Sequence, residues 1–329
     1  MLFRSWLPSW GIESRVIDPE AAVRLSPLLD RDRILGALHN PTDGFTKPVR
    51  VVEAMARRSM EHGARFLGEH PVTGIRTQDG HVSAVVTEQG EIPADLVICA
   101  AGLWGPLIGA MVGQPIALLP LAHQYVRTAP LPALAAIAAT PQLEGLRPVL
   151  RDQDRDLYFR EHGDRMGVGS YAHDPLPVDP ATLPRPAPGR QPAILPFTPE
   201  HMAGPLADAA DLFPALRGAP VEWGIDGIFS FTPDGYPLVG ESRRVAGFWV
   251  AEAVWITHSQ GVARAVAELL VDGHAGLDLH ELDLHRFEPH QVEPGYVDAR
   301  GRQGYIEVYD VIHPLQPMED PRQIGRAHV

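Results

Sequence analysis

The sequence predicts an α/β fold, of mixed α+β character, interrupted by an antiparallel sheet. Three observations predict it. Leu96-Val-Ile-Cys-Ala-Ala-Gly102 is apolar throughout, the pattern of a parallel-sheet strand covered on both faces. Residues 115–230 break instead into short strand-like runs joined mostly by turns. Then Val245-Ala-Gly-Phe-Trp-Val-Ala-Glu-Ala253, Thr257-His-Ser-Gln-Gly261 and Val262–Val271 read as strand, polar turn and helix, a return to the first pattern.

Along the chain, Asp18 can cap a short helix with Pro19 at its first position, stopping near Pro27. Thr46 to Gly63 reads as a second helix, with Val51, Val52, Met55 and Ala56 on one face. Short strands follow at Ala64–Leu67, Val72–Arg76, His81–Thr87 and Glu91–Pro93, with turns at Gln78-Asp-Gly80 and Gln89-Gly90. Val82, Ala84 and Val86 alternate with His81, Ser83 and Val85, so one face of that strand should be buried. In the inserted region the runs are 116–127, 147–151, 156–161, 165–171 and 220–229. A Pro-rich connection covers 175–199, and a helix lies near 199–212. Gly273 stops the helix of the return segment, and 277–320 is aromatic and His-rich.

The net charge of −13 argues against nucleic acid as a partner and against docking on an anionic membrane, since both need a basic face. No run of about 18 apolar residues exists to span a membrane. Cys99 is the only cysteine, so neither an intrachain disulfide nor a thiol metal site can form, and a reducing, cytoplasmic compartment is expected. His280, His285 and His290 recur at fives, a spacing unlike helical metal ligands, so a solvated or packing role is expected and no metal. The Gly-x-Gly-x-x-Gly phosphate fingerprint is absent.

Several segments together resemble the D-amino-acid-oxidase-like flavoproteins, in the branch of the dimethylglycine and sarcosine dehydrogenases. They are Pro41-Thr-Asp-Gly-Phe-Thr46, the meander from Gly63 to Asp95, Val97-Ile-Cys-Ala-Ala-Gly-Leu-Trp-Gly105, Leu119-Pro-Leu-Ala-His-Gln-Tyr-Val-Arg-Thr128, Leu157-Tyr-Phe-Arg-Glu-His-Gly163, Phe231-Thr-Pro-Asp-Gly-Tyr-Pro-Leu-Val-Gly240 and His313-Pro-Leu-Gln-Pro-Met-Glu319. The resemblance implies part of an FAD-binding, Rossmann-like domain (1–105 and 231–274) interleaved with an antiparallel-sheet substrate domain (106–230), then an extension (275–323). It implies a preceding segment with the phosphate fingerprint, and in some relatives a following folate-binding domain. Residues 324–329 fit no part of the pattern and match a translated sequencing adapter, so an artefactual tail is expected there.

The implied activity is oxidative demethylation of a small N-methylated amino acid, with FAD as electron acceptor. By the same resemblance, Val72 lies near the adenine, and Ala100, Ala101, Gly102 and Trp104 lie where the chain turns beside the cofactor. Asp234 also belongs to the cofactor site. His258, Ser259, Gln260, Gly261 and Val262 form a helix start facing the flavin, whose reduced ring carries negative charge suited to a helix N-terminus. Where many relatives continue with glycines, this chain has Ala263-Arg-Ala-Val-Ala267. His123 is implied as the group that takes or steers the amine proton, and Tyr158 as a substrate-pocket hydroxyl. Arg160 and Arg264 are candidates for the substrate carboxylate. A surface hairpin, a plain strand end, a structural histidine and a sheet surface are the alternatives for these positions. Two other readings of the chain stay open: an interaction subunit that needs a partner to bind FAD, and another amino-acid oxidase of the same fold.

Overall fold

The computed structural model describes Leu7 and residues 11–137, 147–187 and 190–310. The strands in chain order are β1 (Arg15–Ile17), β2 (Ala37–His39), β3 (Val72–Gln78), β4 (His81–Thr87), β5 (Gly90–Pro93), β6 (Val97–Cys99), β7 (Leu119–Thr128), β8 (Leu150–Asp152), β9 (Leu157–His162), β10 (Arg165–Ser170), β11 (Leu176–Pro177), β12 (Ile194–Leu195), β13 (Val221–Phe231), β14 (Leu238–Glu241) and β15 (Phe248–Glu252). Described residues within Met1–Lys47, His123–Asp174 and Ile194–Gly227 form one compact unit. Those within Pro48–Ala122, Pro175–Ala193 and Ile228–Val329 form a second.

The first unit is built on an antiparallel sheet in the order β12-β13-β7-β10-β9-β8. Its two faces differ because successive side chains in a strand point opposite ways. Leu157, Phe159, Val126 and Val168 point into a core with Met202, Ala209 and Leu212 of the helix Pro199–Leu212. Phe159 meets Phe213 with ring centroids 4.7 Å apart. His123, Tyr125, Tyr158, Arg160 and His162 occupy the alternate positions. The short helix Pro19–Leu25 begins as its residues dictate: the Asp18 carboxylate accepts from Ala21 N at 2.7 Å.

The second unit holds the meander β3-β4-β5 and the three-stranded sheet β14-β15-β6. Val82 and Ala84 are buried as the alternation predicts, and Asp79 and Gly80 both take positive φ in the hairpin turn. β6 runs parallel to β15, and β14 runs antiparallel to β15. Val82 N donates to Ala246 O at 3.0 Å, tying the meander to this sheet. The helix Ser259–Asp272 packs Val262 and Val266 against Val239 and ends at Gly273 in the left-handed region. The helix Pro294–Ile306 carries Tyr305, fully buried against Phe231 at 5.5 Å.

Two expectations change. Ala64–Leu67 is not a strand: Gly63, at positive φ, ends the helix Pro48–Glu61, and the next residues reach Pro71 without a pairing partner among the described residues. β6 is not covered on both faces. Among the described residues it is an edge strand with β15 as its neighbour; Cys99 enters the core with Phe248 and Val250, while Ile98 stays 42% exposed. The apolar face of the helix Pro48–Glu61 is also open, with Val52 64% exposed. The His313–Glu319 motif and the 324–329 tail lie outside the described residues. Among the described residues, no helix is long and apolar enough to cross a membrane.

Phe248 is fully buried at the centre of the second unit's core. Phe248→Ala should lower unfolding free energy by about 3–5 kcal/mol through lost apolar burial and the cavity left behind, read as a shifted midpoint in urea denaturation.

Candidate functional site

In the first unit the residues singled out in the sequence come together on one face of the sheet. His123 Nε2 and the Tyr158 hydroxyl lie 2.8 Å apart across β7 and β9. The strand between them is β10, and the rings reach each other because β10 offers no side chain there. Gly169 pairs with both Tyr125 and Tyr158, and a Cβ on Gly169 would sit 1.9 Å from Tyr158 Cζ. Tyr125 crosses the same strand to His162 Nε2, 2.8 Å from its hydroxyl. Tyr171 stacks on His123 at 4.2 Å between centroids, and His173 lies at 6.2 Å. Trp223 closes edge-on against Tyr125 at 6.5 Å. Arg160 shares the Tyr158 face and places its guanidinium carbon 4.4 Å from the Phe45 ring centroid, over Phe45 of the Pro41–Thr46 segment.

Burial sets the protonation of this cluster. It drives the His123 imidazole down to about 3, with the neighbouring His173 adding to the shift. His123 is therefore neutral at ordinary pH, with one ring nitrogen protonated and the other an acceptor. When its proton sits on Nδ1, the Tyr158 O–H donates to Nε2. His173 is also lowered by burial, and its Nδ1 lies 2.9 Å from Asp174 O.

In the second unit, the end of β6 turns through Ala100, Ala101 and Gly102, with Gly102 at φ 58. This turn is held by Glu252 at the end of β15. Glu252 Oε1 accepts from Ala101 N at 2.7 Å and from the Cys99 thiol at 3.0 Å. Glu252 is 1% exposed, and its Oε2 is buried with no hydrogen-bond partner. Burial raises its carboxyl to about 7, against the lowering effect of those donors. The approach is close enough to require glycine at 105, where a Cβ would lie 2.7 Å from Glu252 Cδ. Trp104 N donates to Ala101 O at 3.2 Å, continuing the turn.

The helix start at His258–Val262 is open. His258, Gln260 and Gly261 are exposed and Val262 is buried. The Ser259 hydroxyl donates to Ile256 O at 2.8 Å, and Gln260 Nε2 donates to Met55 Sδ at 3.2 Å. The first-turn amides of a helix lack intrahelical acceptors and point outward. Val72 opens β3, opposite Thr87.

Two candidates have other employment. Both Asp234 carboxylate oxygens accept from Arg286, at 2.7 and 2.8 Å, and Oδ1 also takes Tyr236 N at 3.1 Å, so Asp234 fixes its own turn. Arg264 pairs with Glu268 at 2.7 Å and its side chain is 81% exposed. His280 pairs with Asp278, and His285 Nε2 lies 2.8 Å from Glu241 O.

Sequence reasoning missed Glu252, Tyr171, His173 and His162. Glu252 left a readable trace, a lone carboxylate inside the apolar run Phe248-Trp-Val-Ala-Glu-Ala-Val254. Met166-Gly-Val-Gly-Ser170 also left one, since glycines at every second position clear one strand face.

The family model of FAD dependent oxidoreductases (DAO) matches residues 2–269, and that of the FAD dependent oxidoreductase central domain (FAO_M) matches 272–326. Mitochondrial dimethylglycine dehydrogenase of Mus musculus is 29% identical over 89% of this chain and 33% of its own length. 4-Methylaminobutanoate oxidase (formaldehyde-forming) of Paenarthrobacter nicotinovorans is 30% identical over 96% of the chain and 37% of its length. The crystal structure of L-proline dehydrogenase from P. horikoshii shares the fold, with a TM-score of 0.72 at 24% identity, covering 86% of this chain and 71% of that one. The chain belongs to the FAD dependent oxidoreductase family, and it spans about a third of the length of the dimethylglycine dehydrogenase and 4-methylaminobutanoate oxidase relatives. The family's cofactor is FAD. The residues present are compatible with it: a small-residue turn lets a ligand approach the backbone, and Glu252 Oε2 is a buried polar atom without a partner.

The raised Glu252 carboxyl has a pH consequence. The folded state holds this proton more tightly than the unfolded chain, so its stabilising effect is complete below the ordinary carboxylate range and is lost as pH rises through about 7. Glu252→Gln should remove this component, leaving a flatter melting-temperature profile between pH 5 and 8, as measured by calorimetry.

Proposed function

We propose that this chain takes part in FAD-dependent oxidation at the CH–NH group of a small N-methylated amino acid, of the dimethylglycine or sarcosine type. The observation that carries the reading is the His123–Tyr158 pair: a buried, neutral imidazole bonded to a phenol, walled by Tyr125 and Tyr171. An amine releases hydride only when its nitrogen lone pair is free, and this pair can accept the proton that frees it. Similarity to dimethylglycine dehydrogenase and 4-methylaminobutanoate oxidase supports a methylated amine as the substrate class.

FAD, when bound, supplies the hydride acceptor. In this reading Ala100, Ala101, Gly102 and Trp104 border it, with Val72 near its adenine. The amides of the Ser259–Val262 helix start offer positive dipole to a negatively charged reduced ring. Arg160 would orient the substrate carboxylate, its charge kept in place by the Phe45 ring. His123 and Tyr158 hold the amine's proton, and the aromatic walls exclude water from the methyl group.

A second reading is an interaction subunit, favoured by the open apolar face of the helix Pro48–Glu61, where Val49, Val52 and Met60 are exposed. Mixing the protein with FAD, removing free flavin and adding dimethylglycine or sarcosine without oxygen separates the two. The enzyme reading expects a retained flavin spectrum that bleaches on addition of the amine. It also expects Tyr158→Phe and His123→Gln to slow bleaching by about a hundredfold. A colourless protein favours the subunit reading, and bleaching at wild-type rate in both variants sinks the assignment of the pair.

A further inference from the structure

We propose that Tyr125 and His162 form a positioning pair that holds the Tyr158 hydroxyl on His123 across a trough in β10 cleared of side chains; this rests on the amine-oxidation reading above.

The trough comes from two glycines of one strand face. Gly169 stands between Tyr125 and Tyr158, and Gly167 stands between Arg127 and Arg160. Gly169 clears the path of Tyr158, which leaves β9, crosses β10 and meets His123 on β7. Gly167 does the same for Tyr125. A Cβ there would overlap the Tyr125 hydroxyl and stand 2.9 Å from His162 Nε2. Tyr125 thus crosses β10 in the opposite sense and meets His162 at the end of β9, at the same 2.8 Å as the other pair. Two glycines weaken a central strand, and β10 carries them where the two rings must cross.

The two tyrosine rings lie side by side, with centroids 5.8 Å apart and planes 17° apart. On an ordinary strand, neighbouring side chains fence such rings in. Over Gly167 and Gly169 that fence is missing, so each ring is confined by its tip and by its companions. Tyr158 has Tyr125 at 5.8 Å, His123 at 5.7 Å and Tyr171 at 6.1 Å around it. Tyr125 is held at its tip by His162 and edge-on by Trp223. Tyr125 is only half-buried, so without its tip contact it can swing toward solvent. Tyr158 then loses a wall, and its hydroxyl is free to leave His123.

The amine's proton can pass to the His123–Tyr158 pair only while those two groups stay in contact. The reaction rate follows the fraction of time that they do. Tyr125 and His162 act on that fraction and leave the affinity for the amine alone.

The test has two arms. In the first, the protein as it stands carries carbon-13 at tyrosine Cζ, whose chemical shift reports hydrogen bonding at the phenol oxygen. Loss of a signal in Tyr158→Phe assigns it, and His123→Leu fixes its position without the bond. Tyr125→Phe keeps the ring and loses only the hydroxyl; it should move the Tyr158 signal toward the His123→Leu position. His162→Leu should do the same, and the double variant should move it no further, because one bond is removed in all three. His162→Gln, whose amide can still meet the Tyr125 hydroxyl, should keep the wild-type shift. An unmoved Tyr158 signal in Tyr125→Phe overturns the proposal, whether or not the His162 variants fold.

The second arm times anaerobic flavin reduction by dimethylglycine in the FAD-loaded protein. Tyr125→Phe and His162→Leu should slow the rate at saturating amine about tenfold, with amine affinity unchanged. Wild-type protein that the amine fails to reduce overturns the amine reading, while the first arm still decides whether the pair holds Tyr158. Wild-type reduction with both variants equally fast overturns the positioning role alone.

Discussion

The candidate site depends on the two-residue period of the β7-β10-β9 sheet. One face must bury Leu157, Phe159 and Val168 beneath the helix Pro199–Leu212, because apolar burial drives folding. That demand leaves no choice for the alternate positions: Tyr158, Arg160 and His162 are delivered to the other face, opposite His123 and Tyr125. A register slip of one residue would exchange the two sets, exposing the core and burying Arg160. Folding energy and site assembly are thus the same constraint. The glycines of β10 complete it, since rings from the two flanking strands can meet across that strand only where it carries no Cβ.

Burial acts on both units in the same physical sense with opposite chemical results. It disfavours charge, so a buried base loses its proton and a buried acid keeps one. His123 becomes a neutral acceptor. Glu252 becomes a carboxyl that titrates near neutrality, one oxygen organising the Cys99–Ala101 turn and the other left unused. Neither residue is explained by core packing alone, because an apolar side chain of like size would avoid the desolvation cost.

The ion pairs of the surface tell the opposite story. Asp234 and Arg264, both plausible ligand contacts from their sequence setting, are engaged with Arg286 and Glu268. A charged side chain near solvent satisfies itself with its nearest opposite charge, and a motif does not show which neighbour that is. The strand expected at Ala64–Leu67 failed for a related reason: strand propensity has no effect without a partner to pair with, and pairing is decided elsewhere in the chain.

Local and periodic features were legible in the residues themselves. Asp18 and Pro19 start a helix, Asp79-Gly80 makes a hairpin turn, Pro199–Leu212 is helical, and alternation in β4 and β9 names the buried faces, because each is settled by neighbours a few residues apart. The order of motifs also carried the family. Distances between elements far apart in the chain were not legible: the 2.8 Å approach of His123 to Tyr158, the capture of Ala101 N by Glu252, and the approach of His173 to His201. Those arise from strand order and packing, which bring together residues that sequence spacing leaves independent. The protonation states that give the site its chemistry follow from that packing, since burial is a property of the folded chain and not of any residue alone.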